Sequence, residues 1–343
     1  MSDAKNHHYI PICYSKNFVN SDGYLMISDL WDEGRIFPSK PIASLKIRKM
    51  YSQPVHAEGR MDDSIERLFS SEVEAAWTPV FRKILNKDRI SQYDWSAIIK
   101  FMCSMIVRVP MTFNAIIELL REHVIRSAPD SVEHIPNILI DTYHKIMGPR
   151  AKAEPSFRDL VECGAISINI DPHRCISSIV NIMREIQVFK LGFPFGSPKF
   201  VYNNTGIPFL SSDNPVCFFR GSKGKSGYYP YQVQKDRPFS FLFPISSRIA
   251  LVNSSFFAAK GMHIGVDHES DVRQMNRIIS RFAYRYVFSC DEDILKYSFN
   301  QRNICPRPVY SRSTIGDGFV FDIFYKFGAP KKIFNDWKYQ FKR

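Results

Sequence analysis

Apolar residues recur along this chain with two different periods, and the change between them divides it into three stretches. From His7 to about residue 60 the pattern is extended and turn-rich. Asp22-Gly23 is a hairpin signal between Phe18-Val19 and Tyr24-Leu25-Met26-Ile27. Short extended pieces around Arg35-Ile36-Phe37 and from Ile42 to Ile47 are punctuated by Pro38 and Pro41. The middle has helical period: Ile65, Leu68, Phe69, Val73 and Trp77 follow an N-cap cluster at Asp62-Asp63-Ser64. That spacing predicts a helix interrupted at Pro79 and resumed through Phe81 to Leu85. A second helix starts near Ser91 or Asp94 and carries Trp95, Ile98, Ile99, Met102 and Ile106, with Pro110 expected to end or kink it. Further helices are predicted over Phe113 to Arg126, Val132 to Met147 and His173 to Phe189.

Past Gly192 the period shortens. Lys199 to Tyr202, Pro208 to Leu210, Phe239 to Phe243 and Arg248 to Val252 read as short strands bounded by Gly, Pro, Asn and Ser. A helix from Ser270 to Tyr284 and a strand from Tyr286 to Ser289 follow. The pattern predicts an α+β fold, with a helix-rich middle packed against short, mostly antiparallel β elements from the N- and C-terminal parts. One domain over residues 1–343 is expected, with a helical subdomain at 61–190 and a basic, aromatic tail at 327–343.

Composition narrows the functional classes. With 45% hydrophobic and 23% charged residues the chain is globular, and its 28 Phe and 16 Tyr predict a Phe-rich core. Lys and Arg outnumber Asp and Glu by 46 to 34, a formal +12, which favours an anionic partner such as nucleic acid or a nucleotide. A diffusely basic enzyme without a polyanion ligand fits the same excess. Seven cysteines without a CxxC pair point to neither a zinc knuckle nor a disulfide framework. Met1 to Asn6 lacks the apolar stretch of a signal peptide, and no run of about 18 apolar residues exists. A cytoplasmic protein with no membrane partner is the expectation. The loop from Lys223 to Gly227 lacks the upstream glycine of a phosphate-binding loop, and Gly-x-Ser-x-Gly, His-Glu-x-x-His and Gly-x-Gly-x-x-Gly are all missing.

The chemistry-bearing residues lie in short motifs far apart. His7 and His8 would face opposite sides of a strand, so at most one serves a site, and His8 is the better candidate as ligand or proton shuttle. Its alternative role is to fix the N-terminal strand. Asp213 and Asn214 sit at a strand end before Pro215, where they could hold a divalent cation or close an Asx-turn. Glu66 and Glu74 lie eight residues apart, about 80° around a straight α-helix. Both could approach one pocket, but Glu66 reads as solvated face, while Glu74 lies among Val73, Ala75 and Trp77. Arg108 has an apolar setting that demands a carboxylate or phosphate, so it pairs with Glu74 or Asp213 or contacts substrate. Asn276 and Arg285 serve either to brace a polar core network or to bind substrate. Cys103 and Cys217 read as buried fillers.

In order along the chain, these motifs resemble domain-of-unknown-function family 4238, found mainly in microbes. The matching elements are His8-Tyr9-Ile10-Pro11 followed by Phe18, the helix with Glu66 and Glu74 before Pro79, and Arg108-Val109-Pro110. Later come Phe209-Leu210-Ser211-Ser212-Asp213-Asn214-Pro215-Val216, Pro244-Ile245-Ser246, and Asn276 with Ala283 to Ser289. The resemblance implies a shared fold and carries no established chemistry. The functional expectation is a hydrolase acting on phosphodiesters of nucleic acid or a nucleotide, such as a nuclease in microbial defence. His8, Glu74, Asp213 and Asn214 would be its catalytic residues, and Glu74 and Asp213 would hold Mg²⁺ or Mn²⁺. The alternative is a non-catalytic module that binds nucleic acid or protein.

Overall fold

The computed structural model describes residues 6–54, 61–127, 135–168, 198–220, 229–230, 240–253, 261–300, 305–315 and 318–328. They fall into two compact units: Met1–Thr112 with Ile176–Arg343, and Phe113–Cys175. The fold is α+β, with several small and mostly antiparallel sheets. The predicted helix from His173 to Phe189, the loop from Lys223 to Gly227 and most of the tail at 327–343 lie outside the described residues.

Two sheets organise the larger unit. One has six strands in the order Tyr229–Pro230, Cys217–Arg220, Ser240–Pro244, Ile249–Asn253, Pro198–Asn203 and His263–Val266. Only its last pair is parallel. Ser240–Pro244 and Ile249–Asn253 are buried at every position, as their unbroken apolar runs require. The other sheet has four antiparallel strands, Arg35–Ser39, Leu25–Asp29, Tyr286–Ser289 and Ser211–Ser212.

The hairpin signal at Asp22-Gly23 is a turn but does not join two paired strands. The Asn20 side chain accepts from the backbone N–H of Asp22 and Tyr24, and Gly23 supplies the positive φ of 79° that the turn needs. The hairpin itself joins Leu25–Asp29 to Arg35–Ser39, and Phe18 belongs to a 3₁₀ turn, Lys16–Phe18.

The helix expected to break at Pro79 does not break. It runs as Ser64–Arg67, a π-helical segment Leu68–Glu74, and Ala75–Asn86, with Pro79 inside the last part. Proline cannot donate to a carbonyl one turn back and clashes with it in a regular helix. A π-helical segment lies just upstream, and the Thr78 hydroxyl donates to the Glu74 carbonyl. The helix Gln92–Val107 begins at Ser91, whose side chain and that of Asp94 form a reciprocal capping box. It stops before Pro110, which opens the next helix, Pro110–Ser127, at the position where its missing N–H costs nothing.

Aromatic rings fill much of the interior of the larger unit. Trp77 stacks on Phe101 at 4.3 Å, and Tyr14 stacks on Phe243 at 5.5 Å. The Tyr14 hydroxyl donates to the Pro244 carbonyl at 2.6 Å and shares a hydrogen bond with Ser211. The helix Glu269–Phe282 buries Val272, Met275, Ile278, Ile279 and Phe282 in the same cluster as Val201, Phe209, Leu242 and Val287.

The smaller unit contains the helices Asn137–Met147 and Phe157–Glu162. A second capping box, Ser156 with Asp159, starts the latter, and Lys152 Nζ reaches Asp159 at 2.7 Å. The helices from Ser64 to Val107 belong with the sheets of the larger unit, while this compact helical unit is Phe113–Cys175.

Asn276 shows what joins the long buried helix to the chain ahead of the Ser-Asp-Asn-Pro motif. Its side chain accepts from the Leu210 N–H at 2.9 Å and donates to the Pro208 carbonyl at 2.8 Å. Asn276→Ala leaves two buried backbone groups unpaired and should lower unfolding free energy by about 2 to 4 kcal/mol in a denaturant titration. An unchanged midpoint would show that this brace is dispensable.

Candidate functional site

The site is built where a long helix, a short strand and one buried guanidinium converge. Glu66 and Glu74 are eight residues apart and would diverge by about 80° on a regular helix. The π-helical segment Leu68–Glu74 lies between them. A π turn absorbs one extra residue, so the pair behaves as if seven residues apart, about 20° from eclipsed. Glu74 pairs directly with Arg108, and Glu66 lies within electrostatic reach of it.

Arg108 is the C-cap of Gln92–Val107 and only 1% exposed. Its Nη1 donates to Glu74 Oε1 at 2.8 Å and its Nη2 donates to the His8 carbonyl. The guanidinium lies over the Phe69 ring at 4.6 Å, and the Tyr51 hydroxyl donates to the Arg108 carbonyl at 2.7 Å. Its Nε is buried with no partner. Burial pulls its pKa down, but Tyr51, Glu74 and Glu66 together raise it, so the cation is permanent.

Glu74 is paired yet keeps 23% of its side chain exposed, and the Cys13 thiol lies 3.9 Å from its Oε2. Burial, helped by Glu74, pushes that thiol up to about 12, so Cys13 is no thiolate nucleophile near neutral pH. Glu66 is different. Its Oε2 is buried and makes no hydrogen bond, although the residue as a whole is partly exposed. Desolvation pushes its carboxyl up to about 7; Arg108 opposes the shift, and Glu74 and Asp63 add to it. His8 is half-buried, its Nε2 3.2 Å from the Ile42 carbonyl. Burial, with Lys46 and Arg108 adding, lowers its pKa and favours the neutral ring.

Of the residues singled out from sequence, His8, Glu74 and Arg108 come together. His7, alternating with His8 on Asn6–His8, is fully buried, and its Nδ1 accepts from the Tyr51 N–H at 2.9 Å. Asp213, Asn214 and Asn276 are buried in a second network, at whose edge Arg285 keeps 31% of its side chain exposed. Asp213 is 1% exposed; its Oδ1 accepts from the Tyr284 N–H at 2.8 Å, and its Oδ2 from those of Arg285 at 2.8 Å and Tyr286 at 3.0 Å. Complete burial pushes this carboxyl up to about 7, against the pull of those three donors and of Arg285.

Asn214 Nδ2 donates to the Phe282 carbonyl at 2.9 Å. Arg285 forks onto Asp29, Nη2 to Oδ2 at 2.7 Å, with its guanidinium over the rings of Trp31 and Tyr286. The expected partnership of Arg108 is with Glu74 and not Asp213. Among the described residues no group of three or more His, Cys, Asp and Glu side chains is placed to hold a metal ion.

Glu66 is the residue that sequence reading set aside. It reads as solvated face because charge on an amphipathic helix usually is, whereas its Oε2 is buried. Cys13, on Ile12–Ser15, had no sequence signal at all.

Two experiments separate these networks. The folded-state pKa of Glu66 lies above its ordinary 4.5, so its protonation favours the native state. The resulting stability is full below about pH 4.5 and is lost as pH rises through about 7. Glu66→Gln should flatten that decline in a pH series of melting temperatures; an unaltered slope would show that Glu66 does not titrate there. Asp213→Asn places an amide NH₂ against backbone N–H donors and should cost about 2 to 5 kcal/mol in chemical denaturation. An unaltered denaturation midpoint would remove the scaffold role.

No curated protein and no solved structure matches the chain. The family model described as protein of unknown function (DUF4238) matches residues 6–293, which takes in the His8-Tyr9-Ile10-Pro11 strand, the Glu66 helix, Arg108 and the sealed Asp213 network. The chain belongs to that family.

Proposed function

We propose that this protein is a hydrolase of nucleic acid or nucleotides, with Glu66 as its proton-transfer group. The observation that carries the reading is a carboxyl held near neutrality, with one oxygen unpartnered, beside a fixed Arg108–Glu74 ion pair. General acid–base catalysis is most effective when the group's pKa lies near the working pH. Two carboxyl groups whose environments differ this much take different roles: Glu66 gives or takes a proton, and Glu74 is held by its ion pair with Arg108. His8 stands at the rim as a neutral imidazole. The excess of 46 basic over 34 acidic residues favours a polyanionic substrate.

This reading keeps Glu74, His8 and Arg108 from the sequence expectation and adds Glu66. Asp213, Asn214, Asn276 and Arg285 become scaffold, since their polar atoms hold backbone groups or Asp29. Arg108 becomes a positioning residue: two of its three nitrogens already hold Glu74 and the His8 carbonyl, and the third is sealed.

Turnover of RNA, DNA and nucleotide panels by the full-length protein should inflect near pH 7. Glu66→Gln should reduce it by about 10²- to 10⁴-fold in protein that remains folded at the assay temperature. Full activity in that variant would remove Glu66 from the chemistry, and an inert wild-type protein on every such substrate would end the proposal.

A further inference from the structure

From Gly34 to Ala57 the chain carries Arg35, Lys40, Lys46, Arg48 and Lys49 and not one Asp or Glu. Within that stretch the 3₁₀ turn Pro41–Ala43 holds Ile42 out into solvent, 63% exposed, beside an exposed Ala43. A lone exposed apolar residue is ordinary. Its surroundings here are not.

Cations gather at the turn. Lys40 immediately precedes it, with Nζ 5.7 Å from the centroid of the Tyr24 ring. Lys46 reaches back to it, its Nζ donating to the Ile42 carbonyl at 3.0 Å. Arg48 lies two residues further along the strand Lys46–Arg48, on the same side as Lys46. Lys16 follows Ile12–Ser15, the short helix that lies against Pro41–Ala43. Lys16, Lys40 and Arg48 are exposed and Lys46 is half-buried; among the described residues none of the four is in an ion pair. Glu74, whose charge reaches His8 and Cys13, is tied to Arg108.

The backbone of the tip finds its partners inside the protein. Pro41 has no N–H to satisfy. The Ala43 N–H donates to the Lys40 carbonyl at 2.9 Å, and the Ser44 hydroxyl donates to the same oxygen at 3.1 Å. The Ile42 carbonyl accepts from Lys46 and, at 3.2 Å, from His8 Nε2. In water such groups need no protein partner; carried unpaired into an apolar medium they are costly.

We infer that Pro41–Ala43 is a peripheral membrane contact, with Ile42 entering the headgroup layer of an anionic phospholipid surface and Lys16, Lys40, Lys46 and Arg48 meeting the lipid charges around it. Both parts of the surface call for that partner. The cations match the negative leaflet, and the apolar tip matches the acyl boundary beneath it, which a nucleic-acid backbone does not offer. Lysine stems suit the position, since they lie along apolar material while the ammonium stays with the headgroups. No helix among the described residues is long and apolar enough to cross a membrane, so the contact is made from one side. It is independent of the hydrolase reading.

The test is flotation of the full-length protein with vesicles of phosphatidylcholine alone and of phosphatidylcholine in which about a third of the lipid is phosphatidylserine. Binding is expected only to the second kind and should weaken as salt is raised. Lys16→Gln and Lys40→Gln should each weaken it about fivefold. Ile42→Ser should weaken it about tenfold or more. Ile42 and both lysines are exposed, so unchanged melting temperatures would certify the folded state of each variant. No flotation with the phosphatidylserine vesicles would overturn the proposal, and flotation indifferent to both lysine variants would remove it from this turn. Undiminished flotation of Ile42→Ser would overturn the insertion and leave a polyanion patch, which tight binding of an RNA oligonucleotide, lost in the two lysine variants, would then identify.

Discussion

A guanidinium with 1% of its surface exposed sets the terms for the N-terminal half of this protein. An unpaired charge at that depth is prohibitive, and removing one partner of a buried pair typically costs about 3 to 5 kcal/mol. Arg108 therefore dictates the positions of its acceptors. It draws Glu74 in from the long helix and the His8 carbonyl in from the first strand. Three chain segments far apart in sequence are fixed to one point by that requirement. The two rings flanking the guanidinium, Phe69 and Tyr51, complete the enclosure, and Tyr51 is itself held by His7. The motif His8-Tyr9-Ile10-Pro11 thus offers its backbone to Arg108, and Tyr9 and Ile10 donate their N–H groups to the Leu45 carbonyl.

The same constraint explains the unusual helix. On a regular helix Glu66 and Glu74 would lie about 80° apart. The π-helical segment narrows that to about 20°, at the cost of poorer backbone geometry over Leu68–Glu74. Arg108 neutralises one carboxylate by direct contact. The second stands near it without a hydrogen bond and meets burial largely unaided, which is why its proton is held so tightly. Packing thus places a perturbed acid next to an ion pair.

Signals confined to a few residues were legible in the sequence. The helix start near Ser91, the stop before Pro110 and the strand Tyr286–Ser289 all follow from local chemistry. The demand of Arg108 for a carboxylate was legible too, because its apolar neighbours are adjacent in sequence. Long-range pairing was not. Leu25–Asp29 looked like half of a local hairpin around Asp22-Gly23, yet its partners are Arg35–Ser39 on one side and Tyr286–Ser289 on the other. The donors to Asp213 are backbone N–H groups at Tyr284 to Tyr286, 71 to 73 residues downstream, and backbone donors leave no mark on residue type. Motif composition alone therefore could not separate a sealed carboxylate from a partly open one.

Asp213 and Glu66 make that separation concrete, because burial pushes both carboxyl groups to about 7. A perturbed pKa is commonly taken to mark function, yet structural networks perturb pKa values just as strongly. What differs is the set of partners. Both oxygens of Asp213 are taken by N–H groups of one short backbone segment, so a substrate would have to break the sheet edge to reach it. Glu66 has no such bonds, lies partly exposed, and adjoins an ion pair that a substrate need not disturb. Burial raises both acids, but Asp213 commits its oxygens to holding backbone in place and Glu66 holds none.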